Sequence, residues 1–160
     1  MESTEQLARL LREEEELQFS AFSNDTALEI GQMLVEAAKQ SGWAVTIDIT
    51  RNQQCLFHHA MTRTSIDNAE WLRRKNNVVN RFGHSSYYMG SYLRSLGQTI
   101  EEKYFISARE FASHGGAFPL IIKGVGAVGT ISVSGLPQKD DHELVVKVLR
   151  LYLAKTLERF

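Results

Sequence analysis

Apolar side chains recur at the three- and four-residue spacing of helices in five stretches of this chain. Capping residues mark where two of these helices begin: Ser3 with Gln6 opens the first, and Ser65 opens a long one that ends near Phe82. The pattern predicts helices over residues 3–17, 24–40, 65–82, 86–96 and 140–160. The segment 99–109 is also amphipathic, and its pattern leaves helix and loop open.

Two pairs of β-rich runs lie between these helices. Residues 43–50 are rich in β-branched side chains, 51–53 form a turn, and 54–60 return as the partner strand. The stretch 113–145 has a Gly-Gly entry, a strand, a glycine-rich turn, a second strand and a loop into the last helix. Helices thus bracket two antiparallel hairpins, and the β-α-β alternation of a parallel sheet is missing, so the predicted class is α+β.

The composition is that of a soluble globular protein, with 43% hydrophobic and 23% charged residues among 160. We expect one domain, with residues 1–22 as a helical N-terminal extension and 23–160 as the core. A net charge of -1 offers no general attraction for phosphate, which argues against a nucleic-acid partner. No signal peptide is recognisable, and no run approaches the ~20 apolar residues that span a bilayer. A cytoplasmic protein without a membrane partner is therefore expected.

Residues 124–129 match the pattern GxGxxG. In a dinucleotide site the last glycine leads into a helix whose N-terminus faces the pyrophosphate. Here Gly129 is followed by strand-forming residues, and no ribose-binding acid follows at the required separation. We therefore predict that these glycines serve a hairpin turn and not a nucleotide.

Lys75 stands out on the predicted helix over 65–82, because it falls near the centre of the apolar arc formed by Trp71, Leu72, Val78, Val79 and Phe82. A buried ammonium group is costly unless it is paired. Two interpretations stay open: Lys75 pairs with a carboxylate, for which Asp48 is the favoured partner, or it reaches an anionic ligand.

The histidines do not form a metal-binding motif, since adjacent His58 and His59 on a strand point to opposite faces. His114 precedes Gly115-Gly116, where backbone N–H groups can face a ligand, and a turn histidine is the equal alternative. Cys55 is interpreted as a buried strand residue, and the acidic run 13–16 as a solvated helix face. No nucleophile, base and oxyanion set is recognisable, which argues against an enzyme.

The chain resembles the GlcG/HbpS-like family, often called the haem-degrading-domain family, and in particular a small cytosolic branch of it. The residues that carry this resemblance are 45–48, 69–75, 115–119, 126–129, 133–135 and Asp141, with 71–75 and 82–88 typical of the branch. The resemblance implies a profilin-like fold, with helices on the faces of an antiparallel sheet, assembled as homodimers or larger closed oligomers. It also implies a pocket near Lys75, the Gly115–Gly116 turn and Asp141.

Together these observations predict an oligomeric protein that binds either a small ligand, such as an anion, or a protein partner. The alternative is a haem-binding or haem-degrading protein, which would make haem the cofactor. The predicted ligand-binding residues are Lys75, His114, Gly115, Gly116, Pro119, Asp48, Asp141, Arg74 and His84.

Overall fold

The computed structural model describes residues 3–157, which form six helices and four strands. The helices are α1 Thr4–Glu16, α2 Asn24–Gln40, α3 Ile66–Phe82, α4 Ser86–Leu96, α5 Ile100–Tyr104 and α6 Gln138–Leu157. The strands are β1 Thr46–Arg51, β2 Gln54–Ala60, β3 Ala117–Ile122 and β4 Gly126–Ser134. No helix in this part of the chain is long and apolar enough to cross a membrane.

The four strands form one antiparallel sheet in the order β2-β1-β4-β3. The two predicted hairpins therefore join through β1 and β4, where Asp48 pairs with Ser132. This arrangement confirms the α+β class, an antiparallel sheet flanked by helices in a single domain.

Each face of the sheet is covered by different helices. Helices α2 and α6 bury an apolar face whose strand residues are Ile47, Ile49, Phe118, Leu120, Ile131 and Val133. Helix α3 covers the opposite face, on which the alternate residues Thr46, Asp48, Thr130, Ser132 and Ser134 are polar and buried. The polar face gives α3 a partner for a partly buried amide, because Asn76 donates to Asp48 there.

The predicted helices and hairpins are found with small differences at their ends. Strand β1 begins at Thr46 and not at residue 43, because the Trp43 backbone N–H donates to the Ala38 carbonyl and completes the end of α2. The ambiguous segment 99–109 contains only the short helix α5. The last three residues of the predicted final helix lie outside the described residues. The glycine-rich turn leads into β4, as predicted, and not into a helix.

The interpretation of Cys55 as a buried residue was wrong, because its side chain is exposed. Strand β2 is one of the two edge strands of the sheet, so β1 is its only neighbour among the four strands. The pairing between β1 and β2 also shifts register near Thr50 and Cys55, which marks a bulge. An edge strand leaves its side chains more open to solvent than an internal strand does.

The acidic run at the end of α1 is a solvated face only at Glu15 and Glu16, so its prediction was wrong for the first two residues. Glu13 and Glu14 are buried, and each carboxylate meets a histidine from another helix or its entry. Glu13 Oε1 lies 2.8 Å from Nε2 of His142 on α6, and Glu14 Oε1 lies 2.8 Å from Nδ1 of His84. These pairs attach α1 to the rest of the domain.

The attachment of α1 is expected to depend on pH through His84. Its hydrogen bond with Glu14 raises the pKa of His84 above 6.5, although burial opposes this effect. Because the pKa of His84 is higher in the folded than in the unfolded protein, its protonation stabilises the fold. This stabilisation is complete below the unfolded-state pKa and is lost as pH rises through the folded-state pKa. We expect amide hydrogens of residues 4–16 to lose protection as pH rises above 6.5, after correction for intrinsic exchange.

The matched control for this prediction is His84→Gln, which keeps a hydrogen-bond donor but cannot titrate. Exchange in α1 of this variant should show less dependence on pH than exchange in the wild-type protein. Equal pH dependence in both proteins would show that His84 does not control the attachment of α1.

Candidate functional site

A cavity of about 400 Å³ opens between the start of α3, the loop before β3 and the connection from β4 to α6. Ten residues line it: Asp67, Asn68, Trp71, Lys75, His114, Ser134, Gly135, Leu136, Gln138 and Asp141. Asn68, Trp71 and Lys75 come from one face of α3, since they are three and four residues apart. Most of the lining is polar.

Lys75 and Asp141 form an ion pair at the base of this cavity. Lys75 Nζ lies 3.1 Å from Asp141 Oδ2, with the two side chains 4% and 2% exposed. The ammonium group also donates, at 3.5 Å, to the backbone carbonyl of Val133. The predicted pairing with a carboxylate is therefore found, but the partner is Asp141.

The expected pairing of Lys75 with Asp48 was wrong, since Asp48 is bound by other groups. Asn76 Nδ2 donates to Asp48 Oδ2 at 3.1 Å, and His58 Nδ1 lies 3.0 Å from Asp48 Oδ1. Because Asn76 follows Lys75 on α3, the two side chains point in different directions from the helix. Asn76 therefore binds Asp48 in the middle of the sheet, whereas Lys75 binds Asp141 in the first turn of α6.

Asp141 also fixes the connection between β4 and α6. Its Oδ1 accepts the Leu136 backbone N–H at 3.0 Å, and the Gly135 backbone N–H donates to the same carboxylate. Burial raises the pKa of Asp141 to about 6, although Lys75 and these N–H groups favour the charged form. Burial likewise lowers the pKa of Lys75, against the effect of Asp141.

The Gly115–Gly116 turn packs behind the cavity lining, where backbone groups and Lys75 approach it closely. Gly116 has φ +137°, and a Cβ there would overlap the Val133 carbonyl oxygen and lie 2.8 Å from Lys75 Nζ. A Cβ on Gly115 would overlap the Gln138 carbonyl oxygen. Gly115 N–H donates to Gln138 Oε1 at 3.0 Å, which ties the turn to the start of α6.

His114 and Trp71 meet at the mouth of the cavity. Their rings contact edge to face with centroids 5.3 Å apart. Part of the His114 ring is exposed, while desolvation of the rest lowers its pKa, and the positive charges of Lys75, Arg94 and Arg74 add to this effect. The imidazole is therefore neutral at pH 7.

Of the nine candidate residues, Lys75, His114 and Asp141 line the cavity. Gly115 and Gly116 pack directly behind the lining, and the other four candidates lie further away. Arg74 packs 4.6 Å over the Trp71 ring and donates to the Ala108 carbonyl. His84 contacts Glu14, and Asp48 lies under the middle of α3. Pro119 is buried in β3, where it pairs with Thr130.

Sequence reasoning missed the other seven lining residues, namely Asp67, Asn68, Trp71, Ser134, Gly135, Leu136 and Gln138. The helical spacing of Asn68 and Lys75 was available as a signal, because residues seven apart lie on one side of a helix. The other contributions come from segments far apart in the chain. No group of three or more His, Cys, Asp or Glu side chains in residues 3–157 is arranged to hold a metal ion.

Comparison with known proteins identifies the family. The model of the family described as haem degrading protein HbpS-like matches residues 22–150, so this chain belongs to that family. A UPF0303 protein of Edwardsiella ictaluri is 52% identical over 153 residues, which are 96% of this chain and 98% of that protein.

Solved structures share the fold. The crystal structure of the Ybr137w protein superposes with a TM-score of 0.88 at 32% identity, covering 94% of this chain and 89% of that one. The crystal structure of a PduOC:haem complex has a TM-score of 0.68 at 16% identity, covering 81% of this chain and 94% of that one. At this lower identity the likeness concerns the fold alone.

Proposed function

We propose that this protein binds a small ligand in the cavity at Lys75. The observation that carries the proposal is a buried ammonium group that lines an open cavity and is not fully bonded. Asp141 and Val133 accept two of its three hydrogens, and no third acceptor occurs in the described part of the chain. The Trp71 ring, with its centroid 5.9 Å from Nζ, is the other neighbour of the ammonium group, and an oxygen atom of a ligand would supply the third hydrogen bond.

Two amides add donors beside Lys75. Asn68 Oδ1 accepts the Ser65 backbone N–H, and Gln138 Oε1 accepts the Gly115 N–H, so each amide NH₂ group remains for other partners. Because both residues line the cavity, the site is suited to a carbonyl or carboxylate oxygen. Trp71 supplies an apolar wall for the rest of a small molecule.

The two tryptophans of the chain allow a direct test of this proposal. Trp71 lines the cavity, whereas Trp43 packs against the core on the other side of the sheet. In a Trp43→Phe variant, the emission of Trp71 should change saturably when small carboxylates, alcohols and aldehydes such as benzoate, benzyl alcohol and benzaldehyde are titrated. We expect at least one of the three compounds to give such a change.

The matched control is Trp71→Phe, in which Trp43 alone emits. The same compounds should leave its emission unchanged apart from the linear quenching expected of a dissolved additive. If all three gave equal effects in both variants, or none in either, the proposal that this cavity binds small oxygen-bearing molecules would be contradicted.

Haem is the second candidate, and two findings favour it: the family description and the fold shared with a PduOC:haem complex. The residues of this cavity fit haem poorly. His114 is the one histidine among its lining residues, but the surrounding side chains are largely polar, whereas the porphyrin ring is broad and apolar. We therefore rank haem below a small polar ligand.

We also propose that the partner of this chain is a second copy of itself, in the cytoplasm. The outer edge of β3 is covered by Phe19, whose N–H donates to the Ile121 carbonyl. No described segment covers the outer edge of β2 in the same way. An open strand edge is a template for pairing with another chain.

A further inference from the structure

Lys75 is distinguished from every other lysine by its surroundings. The other six lysines, at 39, 103, 123, 139, 147 and 155, are exposed, whereas Lys75 is 3% exposed. Lys75 nevertheless lines the cavity together with Trp71 and Asn68. Gly116 packs close to the nitrogen, since a Cβ there would lie 2.8 Å from Nζ and would crowd the amine.

Asp141 contacts this amine, and His114 lines the same cavity, so two groups that can exchange protons lie at the site. The Asp141 carboxylate lies 3.1 Å from Nζ, and its pKa of about 6 allows it to hold a proton transiently. Burial lowers the pKa of Lys75, so its neutral form is more accessible than that of an exposed lysine. The neutral imidazole of His114 stands at the same cavity.

We propose that Lys75 forms a reversible imine with a small aldehyde or ketone bound in the cavity. This inference rests on the proposed function, because it names the chemical class of the ligand and the atom that it engages. A buried lysine beside a carboxylate, open to a cavity that can admit a carbonyl compound, is the arrangement that this chemistry requires.

The reaction balances without an oxidant or a reductant. The Lys75 ammonium group passes one proton to Asp141, and the nitrogen lone pair then forms a bond to the carbonyl carbon while the oxygen takes a proton. The resulting carbinolamine loses that oxygen as water. Two of the three ammonium hydrogens leave in the water molecule, and the third remains on a protonated imine, which keeps its charge and its ion pair with Asp141.

The charges at the site favour a neutral carbonyl compound over a multiply charged anion. The positive charge of Lys75 is already balanced by Asp141, and Asp67 adds a carboxylate to the lining. The lining residues therefore offer a phosphate dianion no positive charge that is not already balanced. The volume of about 400 Å³ and the Trp71 ring suit a short aliphatic or a single-ring aldehyde.

Reductive trapping of the wild-type protein tests this inference. Benzaldehyde and sodium cyanoborohydride at pH 7 convert an imine into a stable secondary amine, which peptide mass spectrometry assigns to one lysine. Burial lowers the pKa of Lys75 and so raises its neutral fraction at pH 7, and we therefore expect Lys75 to be the fastest of the seven lysines to be modified. A purely structural Lys75 would instead be the slowest of the seven, because it is shielded.

The fluorescence of Trp71 separates failure of this inference from failure of the proposed function. If benzoate or benzyl alcohol bound at Trp71 while Lys75 was the slowest lysine to be trapped, the imine would be rejected and ligand binding would stand. If none of these compounds changed the emission of Trp71 and Lys75 was the slowest, both would be rejected. Preferential trapping of Lys75 that benzoate suppresses would support both.

Discussion

Replacement of Lys75 by methionine is expected to lower the free energy of unfolding by about 3–5 kcal/mol at pH 7. This is the usual cost of removing one partner of a buried ion pair and leaving the other charge unpaired. Methionine matches the length of the lysine stem but leaves the Asp141 carboxylate, 2% exposed, without its cation. The cost should appear as a lower urea midpoint with an unchanged m value.

The isosteric change Asp141→Asn supplies the control. Asparagine keeps an oxygen that can accept the Leu136 N–H, so the double variant Lys75→Met/Asp141→Asn contains no buried charge at this position. We expect the double variant to be more stable than Lys75→Met alone. If the loss of stability in the double variant equalled the sum of the losses in the two single variants, the two residues would not be coupled. That result would contradict the 3.1 Å contact between them.

Replacement of Gly116 by alanine is expected to cost about 3 kcal/mol or more, because backbone strain and a steric overlap act together. The residue has φ +137°, and its new Cβ would overlap the Val133 carbonyl oxygen in the sheet while crowding Lys75 Nζ. Neither neighbour moves easily, since β4 is an internal strand and Lys75 is held by Asp141. Chemical denaturation measures the loss.

Gly126→Ala is the matched control for this change. Gly126 also has a positive φ, +114°, but nothing lies within 4 Å of a Cβ built there. Its substitution should cost only the backbone strain, about 1–2 kcal/mol. Equal losses for the two variants would contradict a close approach of the Gly115–Gly116 turn to the strand and the amine.

Helices and strands were predicted well from the sequence where capping residues, glycines and apolar periodicity agreed. Helix α3 was found within one residue because its apolar arc, the Ser65 cap and Gly83 at its end agree. The hairpin at β3 and β4 was evident from β-rich runs around glycines. The family resemblance supplied the rest, namely that Lys75, Asp141 and the Gly115–Gly116 turn lie together.

Other features depended on contacts between distant segments, which local patterns do not contain. Asp48 and Asp141 were both available as partners of Lys75, and only the packing of α6 on the sheet decides for Asp141, 66 residues away. The burial of Glu13 requires His142, which lies 129 residues further along. Cys55 was misjudged because its apolar neighbours do not reveal that β2 is an edge strand.

Hydrogen-exchange mass spectrometry with and without a compound that changes the emission of Trp71 tests the central claim most directly, because it locates the ligand in an assembly of any size. Binding at the Lys75 cavity predicts added protection in the segments 66–75, 112–117 and 134–141, which surround it. Protection that appeared instead at the apolar groove lined by Phe19 and Tyr152, or at the outer edge of β2, would contradict the proposed site.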